Sequence, residues 1–116
     1  APAYAFSFNN KKLEKTASCD TMADGLAVRI PDSLALESIL QGVARVITVS
    51  DELIMDAIQI YYADTHNIAE GAGASSLAAL LKEKNKMTGK KTGVVLTGGN
   101  LDHNLMIHAL RSGRSE

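Results

Sequence analysis

The sequence contains a single cysteine, no tryptophan and only two prolines among its 116 residues. Cys19 cannot form an internal disulfide, and cysteine and histidine do not recur at zinc-binding spacing, so a reducing compartment, the cytoplasm, is expected. The longest apolar runs are far shorter than the roughly 20 residues of a membrane helix, so no membrane span is predicted. Aromatic residues make up only 4% of the chain, which leaves few surfaces on which nucleic-acid bases could stack.

The chain also lacks a strong charge of either sign. Twelve basic and thirteen acidic residues give a formal charge of -1, so no global field would hold nucleic acid or an acidic membrane. Hydrophobic residues make up 46% of the chain, which is too many for a disordered polypeptide and enough for a buried core. The length fits one domain, residues 1–116.

Three short segments have the composition of β-strands. Residues 3–8, "AYAFSF", alternate a small residue with a larger one, and residues 44–49, "ARVITV", are rich in β-branched side chains. Residues 92–97, "TGVVLT", form a third such run, which ends at two glycines. The segment between residues 9 and 25 is polar and aperiodic, which is typical of a surface loop.

Four segments have the apolar spacing and the caps of helices. The first follows Pro31 with Asp32 or Ser33 as its cap, and the second follows Ser50. A third helix is expected over residues 71–84, and the last begins at Asp102 or Asn104. The alternation of strands and helices predicts an α/β, three-layer architecture with a mainly parallel sheet.

The stretch "TGGN" at residues 97–100 is a candidate ligand site, because ligands of open α/β sheets bind beyond the carboxyl ends of strands. The alternative is a tight turn in which glycine adopts a positive φ. Neither a phosphate loop nor a GxGxxG motif is present. The sequence therefore leaves both interpretations open.

Two further stretches combine an acidic residue with glycine. Glu70 precedes "GAGASS" at a helix start, where the helix dipole alone would favour a carboxylate. Glycine is a poor choice for helix stability, so either a flat ligand or another backbone would explain the small residues that begin with Gly71 and Gly73. Asp24 and Gly25 lie in "TMADGLAV" and can be read simply as a turn.

Other kinds of catalytic site have no support. No histidine pair and acid share one helical face as in a zinc enzyme, and no Gly-x-Ser-x-Gly elbow is present. The lysines all lie in polar loops or at helix ends, where an amine stays solvated and protonated. None of them is expected to be a catalytic amine.

Taken in order, "TMADGLAV", "IAEGAGASSLAALL" and "VVLTGGNLD" resemble the carboxyl-terminal third of the threonine dehydratase and serine racemase group of fold-type II pyridoxal phosphate enzymes. By this resemblance the chain is a partial domain, the carboxyl-terminal part of the large cofactor-binding domain. The resemblance implies pyridoxal 5'-phosphate as cofactor. It also implies a parent reaction in which a hydroxyamino acid is converted to an oxo acid and ammonia.

The resemblance also implies roles for six residues. Thr97 matches the residue whose hydroxyl or thiol bonds the pyridine nitrogen of the cofactor, and Gly98, Gly99 and Asn100 complete that turn. Glu70 matches an acid near the cofactor ring. Gly25 matches a backbone position close to the substrate and the cofactor.

Parts of the family pattern are absent from this chain. The Schiff-base lysine and the glycine-rich phosphate loop of the family do not occur in it, so the resemblance implies no catalytic residue and no covalently bound cofactor here. The metal site of the family uses an acid where this chain has Ala3, so no metal ligand is predicted. The chain alone is expected to be inactive and to form one wall of a cofactor pocket.

Two alternatives remain open from the sequence. A sheet of three strands has two exposed edges, so the chain could be a free-standing, non-catalytic module that self-associates through them. Otherwise those edges are covered by a missing amino-terminal part. The parent enzyme could also be a racemase, or a lyase that acts on another hydroxyamino acid.

Overall fold

The computed structural model of the chain describes residues 1–111, and this part divides into two compact units. The first unit is Ala1–Thr48, and the second begins at Val49. Whether they belong to a single domain, as the chain length suggests, stays a prediction. The helices, in chain order, are α1 (Ala3–Asn10), α2 (Ser33–Gly42), α3 (Asp51–Thr65), α4 (Gly71–Lys82), α5 (Lys84–Met87) and α6 (His103–Arg111).

The predicted parallel sheet is wrong, because residues 1–111 contain no strand. Residues 44–49 and 92–97 are irregular, and none of their side chains is buried. A segment rich in β-branched residues becomes a strand only when its N–H and C=O groups pair with a neighbouring strand. Without such partners the α/β, three-layer prediction fails, and residues 1–111 contain no sheet edge; self-association of the chain stays a prediction.

The first predicted strand is helix α1. Its buried residues are the small ones, Ala3, Ala5 and Ser7. The helix ends in a Schellman motif, in which the Lys12 N–H donates to Ser7 O at 3.2 Å and Lys11 adopts a left-handed φ of 53°. Alternation of small and large residues over six positions therefore resembled a strand although the segment is helical.

The first unit is held by short polar contacts and a small core. The buried Ser7 hydroxyl accepts the Glu14 N–H at 2.9 Å and donates to Glu14 O at 3.2 Å, which ties the loop to α1. The Tyr4 hydroxyl accepts the Asp32 N–H at 3.2 Å. Of the two predicted caps of α2, Asp32 is the one used, because it accepts the Ala35 N–H at 2.9 Å. Of the apolar face predicted for α2, only Leu36 is buried.

The second unit is built around α3, which packs against α4 and α6. Ser50 caps α3 as predicted, by accepting the Leu53 N–H at 3.3 Å. The buried face of α3 carries Ile54, Ala57, Ile58 and Tyr61, whereas α4 contributes Gly71, Gly73, Ala74 and Ala78. Burying an isoleucine side chain contributes roughly 1.5 to 3 kcal/mol, so this face supplies much of the stability of the unit.

The remaining predicted helices are confirmed. Helix α4 begins at Gly71 and ends at Lys82, two residues earlier than expected, and α5 follows it. Of the two residues proposed to start α6, Asp102 is the cap, because its Oδ1 accepts the Asn104 N–H at 2.8 Å. No helix in the described part of the chain is long and apolar enough to cross a membrane.

Candidate cofactor site

Residues 97–100 form an irregular segment, which we call the turn, and it lies against the start of α4. Glu70, the N-cap residue of α4, donates its backbone N–H to Gly98 O at 3.0 Å. In return, its carboxylate Oε2 accepts the Asn100 N–H at 3.0 Å. We call this reciprocal pair of hydrogen bonds the Glu70 clamp. It joins backbone groups that are about 30 residues apart in sequence.

The glycines of this region are required by lack of space. A Cβ at Gly98 would lie 2.7 Å from Oε1 of Glu70, and one at Gly99 would lie 2.7 Å from Ile68 O. A Cβ at Gly73 would lie 2.5 Å from Gly98 O. Each distance is shorter than real Cβ contacts. At Gly99 and Gly73 the obstructing atom belongs to the backbone, so only glycine fits, whereas at Gly98 the Glu70 carboxylate would have to move away.

Two open questions about these glycines are thereby answered. Within residues 1–111 the one glycine with positive φ is Gly89, so the turn at Gly98 and Gly99 does not need a left-handed backbone. The sequence left open whether a flat ligand or another backbone lies against the start of α4, and at Gly73 it is the backbone of Gly98. Close approach of chain segments, one of the uses of glycine, therefore explains all three positions.

The carboxylate of Glu70 does not cap its own helix. An N-cap side chain usually accepts an N–H of the first helical turn, and no such bond is formed here. The side chain reaches across to the turn instead, with Oε2 on Asn100 and Oε1 beside Gly98. A carboxylate acceptor makes the bond to Asn100 one of the stronger kind.

Thr97 and Asn100 are exposed on either side of the two glycines. The Thr97 hydroxyl has no hydrogen-bond partner within residues 1–111. A hydroxyl group can both donate and accept, so this one is available to either kind of ligand atom.

A residue that the sequence did not single out also contacts this segment. The hydroxyl of Ser76, on α4, donates a hydrogen bond to Val95 O at 2.8 Å. The neighbouring Ser75 bonds within its own helix, to Ala72 O at 2.7 Å. Nothing in "GAGASS" distinguishes the two serines, because only the fold decides which hydroxyl meets the segment before the turn.

Gly25 lies in the first unit, whereas the other five predicted site residues lie in the second. It is the middle residue of a 3-10 turn, Asp24–Leu26, and is exposed. The Gly25 N–H donates to Oδ1 of Asp24 at 2.8 Å. The simple turn expected at this position is therefore present.

Metal ligands were not predicted, and residues 1–111 contain no group of three histidine, cysteine or acidic side chains that could hold a metal ion. Ala3, which the motif resemblance places at the position of an acidic metal ligand, is fully buried.

Comparison with known proteins assigns the family. The model of the pyridoxal-phosphate dependent enzymes matches residues 1–98, which is most of the chain. The chain belongs to this family. The resemblance of the three motifs is confirmed, and pyridoxal 5'-phosphate, the cofactor of the family, is the cofactor indicated for this chain.

Individual relatives agree with this assignment. The L-threonine ammonia-lyase of Thermotoga maritima is 35% identical over 112 residues, which are 97% of this chain and 28% of the relative. The structure of maize serine racemase matches 95% of this chain with a TM-score of 0.82 and 30% identity. A threonine deaminase from Solanum lycopersicum matches 97% of it with a TM-score of 0.85 and 23% identity, which supports the fold alone.

The chain spans only part of these relatives. It covers 35% of the maize chain and 34% of the Solanum chain, a share close to that of the ammonia-lyase. The carboxyl-terminal third predicted from the motifs is of the same size.

Proposed function

We propose that this chain forms one wall of the pyridoxal phosphate pocket of a threonine or serine ammonia-lyase. The observation that carries the proposal is the exposed Thr97 hydroxyl at the edge of a turn held by the Glu70 clamp. Family membership supplies the cofactor, and the identity with an L-threonine ammonia-lyase favours a hydroxyamino acid as substrate.

The chemistry of the Thr97 side chain fits a pyridine nitrogen. Bound pyridoxal phosphate withdraws electrons from the α-carbon of an amino acid. An aspartate would keep a proton on the ring nitrogen, whereas a neutral hydroxyl forms a hydrogen bond to this nitrogen without doing so. The ring therefore withdraws electrons less strongly than it would beside an aspartate. Such a site suits a substrate whose β-hydroxyl group leaves directly after the α-proton.

The other residues of the site have supporting parts in this proposal. Gly98, Gly99 and Asn100 form the turn beside the ring, and Glu70 lies next to them. The backbone of Gly25 approaches the substrate and the cofactor. These contacts are carried over from the family motifs that the sequence matches.

The covalent attachment of the cofactor is proposed to lie outside this chain. All eight lysines are exposed: Lys11, Lys12, Lys15, Lys82, Lys84, Lys86, Lys90 and Lys91. A Schiff-base lysine is usually activated by burial or a neighbouring charge. The isolated chain, mixed with pyridoxal phosphate and reduced with borohydride, should show no stoichiometric adduct at one lysine by mass spectrometry. One specifically labelled lysine would contradict this part of the proposal.

Replacement of Thr97 tests the ring contact. In the enzyme that contains this chain, Thr97→Ala should lower turnover by about a hundredfold, the usual cost of removing one polar contact to the reacting system. Thr97→Ser keeps the hydroxyl and should stay within about threefold of the parent. Unchanged turnover and cofactor affinity in Thr97→Ala would remove the proposed contact.

A racemase is the second candidate, because the maize serine racemase is 30% identical over 95% of this chain. The two activities differ in the product formed from L-serine. Chiral chromatography would detect D-serine from a racemase, whereas a coupled assay would detect the oxo acid and ammonia from a lyase. Predominant D-serine would replace the lyase proposal while leaving the cofactor site unchanged.

A further inference from the structure

The segment that carries Thr97 is fastened to α4 on both sides of this residue. Two residues before it, Val95 O accepts the Ser76 hydroxyl at 2.8 Å. After it, the Glu70 clamp holds Gly98 O and the Asn100 N–H at 3.0 Å each. Thr97 therefore lies between two points of attachment to the same helix.

We propose that Ser76 and Glu70 are positioning residues, which hold the Thr97 hydroxyl where it meets the ring nitrogen of the cofactor. This inference rests on the proposed function, because it takes Thr97 to be the ring contact. Neither residue needs to touch the cofactor. Each acts through a backbone group of the segment that carries Thr97.

The need for such positioning follows from the composition of the turn. Thr97 is exposed and its hydroxyl has no partner within residues 1–111, so its own side chain does not fix it. Gly98 and Gly99 have no side chains to pack, and glycine loses more conformational freedom on ordering than any other residue. Backbone hydrogen bonds from outside the turn must therefore supply the restraint.

The two attachments restrain different motions. The Glu70 clamp fixes the turn itself, because one residue bonds both the carbonyl of Gly98 and the amide of Asn100. Ser76 fixes the approach to the turn, six residues further along α4 than Glu70. Loss of either attachment leaves one side of Thr97 free to move, and small misplacements of a contacting group reduce binding and rate.

The test is a double-mutant cycle on cofactor binding in the holoenzyme that contains this chain. The dissociation constant of pyridoxal phosphate is measured by equilibrium dialysis, and the visible absorbance of the bound cofactor is recorded for each variant. Ser76→Ala should weaken binding by about three- to fivefold, the loss of one hydrogen bond of ordinary strength. Ser75→Ala is the matched control and should leave both readouts unchanged, since that hydroxyl bonds within its own helix.

The cycle separates positioning from a general structural role. In the Thr97→Ala background, Ser76→Ala should have no further effect on the dissociation constant, because the hydroxyl that it positions is gone. Equal effects in both backgrounds would overturn the inference. Ser76→Thr, which keeps a hydroxyl, should restore parental binding.

Glu70→Gln is the second variant, and it tests the positioning role if Ser76→Ala does not fold. It keeps the size of the side chain and one oxygen acceptor but removes the charge that strengthens the bond to Asn100. Its effect on binding should likewise vanish in the Thr97→Ala background. A persisting effect would mean that Glu70 acts on the cofactor directly.

The failure of the inference can be told from the failure of the proposed function. If Thr97→Ala itself leaves cofactor affinity and absorbance unchanged, the ring contact is wrong and the proposed function fails with it. If Thr97→Ala weakens binding while Ser76→Ala and Glu70→Gln are neutral or additive, only the positioning role fails.

Discussion

Two glycine-containing turns of this chain are held in different ways. In the 3-10 turn Asp24–Leu26, the Gly25 N–H bonds the side chain of its neighbour Asp24, and the Leu26 N–H donates to Ala23 O at 2.8 Å. The turn at Gly98 and Gly99 is held instead by Glu70, which precedes it by about 30 residues in sequence. One turn is local and the other depends on tertiary structure.

The difference shows what each glycine contributes. The hydrogen bonds of the Asp24–Leu26 turn join only residues that lie within a few positions of each other, so they do not depend on a distant segment. The second turn depends on the start of α4 and the residues just before it, because Glu70 holds it and Gly73 and Ile68 limit its space. A proposed ligand contact at Thr97 is therefore as rigid as the packing between the turn and α4.

The largest effect that would break this comparison is expected from Gly73→Ala. The new Cβ would lie 2.5 Å from Gly98 O and 3.0 Å from Gly98 N, so a backbone segment must move. Overpacking of this kind costs roughly 1 to 3 kcal/mol, and urea denaturation should show a loss of that size in the free energy of unfolding.

Gly42→Ala is the matched control for this substitution. Gly42 also lies in a helix, at the end of α2, and a Cβ added there would have no neighbouring atom within 4 Å. Alanine should therefore stabilise the protein there by up to about 1 kcal/mol, through helix propensity alone. If Gly73→Ala stabilised the protein by the same amount, the turn would not be pressed against α4.

The next largest effect is expected from Glu70→Ala, and hydrogen exchange at single backbone amides would measure it. Glu70→Ala removes the acceptor of the Asn100 N–H, a charge-assisted but exposed bond that contributes about 1.5 kcal/mol, the lower end of the usual range. Hydrogen exchange at the Asn100 amide should accelerate by about tenfold or more. The Leu101 N–H, which bonds Gly99 O at 2.9 Å, should accelerate with it as the turn loosens.

Asp24→Ala is the local counterpart of that variant. It removes the acceptor of the Gly25 N–H, so exchange should accelerate at this amide and leave Asn100 unchanged. If Asp24→Ala also accelerated exchange at Asn100, or Glu70→Ala also accelerated it at Gly25, the two turns would not be held separately, and the comparison would fail.

The same distinction explains how much could be predicted from the sequence. The starts of α2, α3 and α6 depend on Asp32, Ser50 and Asp102, whose side chains bond backbone groups two or three residues away. Such signals are local and were predicted correctly. The family and its cofactor also followed from short motifs in order.

What failed depended on distant parts of the chain. The three strands were predicted from β-branched or alternating residues, but pairing partners decide whether a strand exists. For the glycines, the position of the turn was predicted and its cause was not, since close approach to Gly73 and Glu70 is visible only in the fold. The contact of Ser76 with Val95 was missed for the same reason.

A smaller effect is expected at two helix ends, which are local devices in both units. Lys11 ends α1 and His66 ends α3, each with a left-handed φ near 55°. The end of α1 is a Schellman motif, whereas at the end of α3 the His66 N–H bonds Tyr62 O and the Asn67 N–H bonds Tyr61 O. Glycine adopts this conformation without steric cost, so Lys11→Gly and His66→Gly should each stabilise the protein by roughly 0.5 to 1 kcal/mol. His66→Gly also removes the hydrogen bond between His66 Nδ1 and Tyr62 O at 3.2 Å, so its shift should be the smaller. Thermal unfolding should show the two shifts to be additive, because each helix end is held locally; a destabilising Lys11→Gly would contradict this.

The smallest effect is expected at the start of α3, where the pKa of Glu52 is lowered by its own backbone N–H and, secondly, by the Ser50 hydroxyl. A lowered pKa in the folded state means that the carboxylate stabilises the protein above its ordinary pKa of 4.5, and that this contribution is lost as the pH falls through the lowered value. Glu52→Gln should therefore be slightly less stable than the parent at neutral pH, and the difference in urea midpoint should disappear on acidification. In a Ser50→Ala background the difference should shrink, because one donor to the carboxylate is gone. A difference that grew as the pH fell would mean that the charged form of Glu52 is disfavoured in the fold, and that this helix start is not a local, self-contained device.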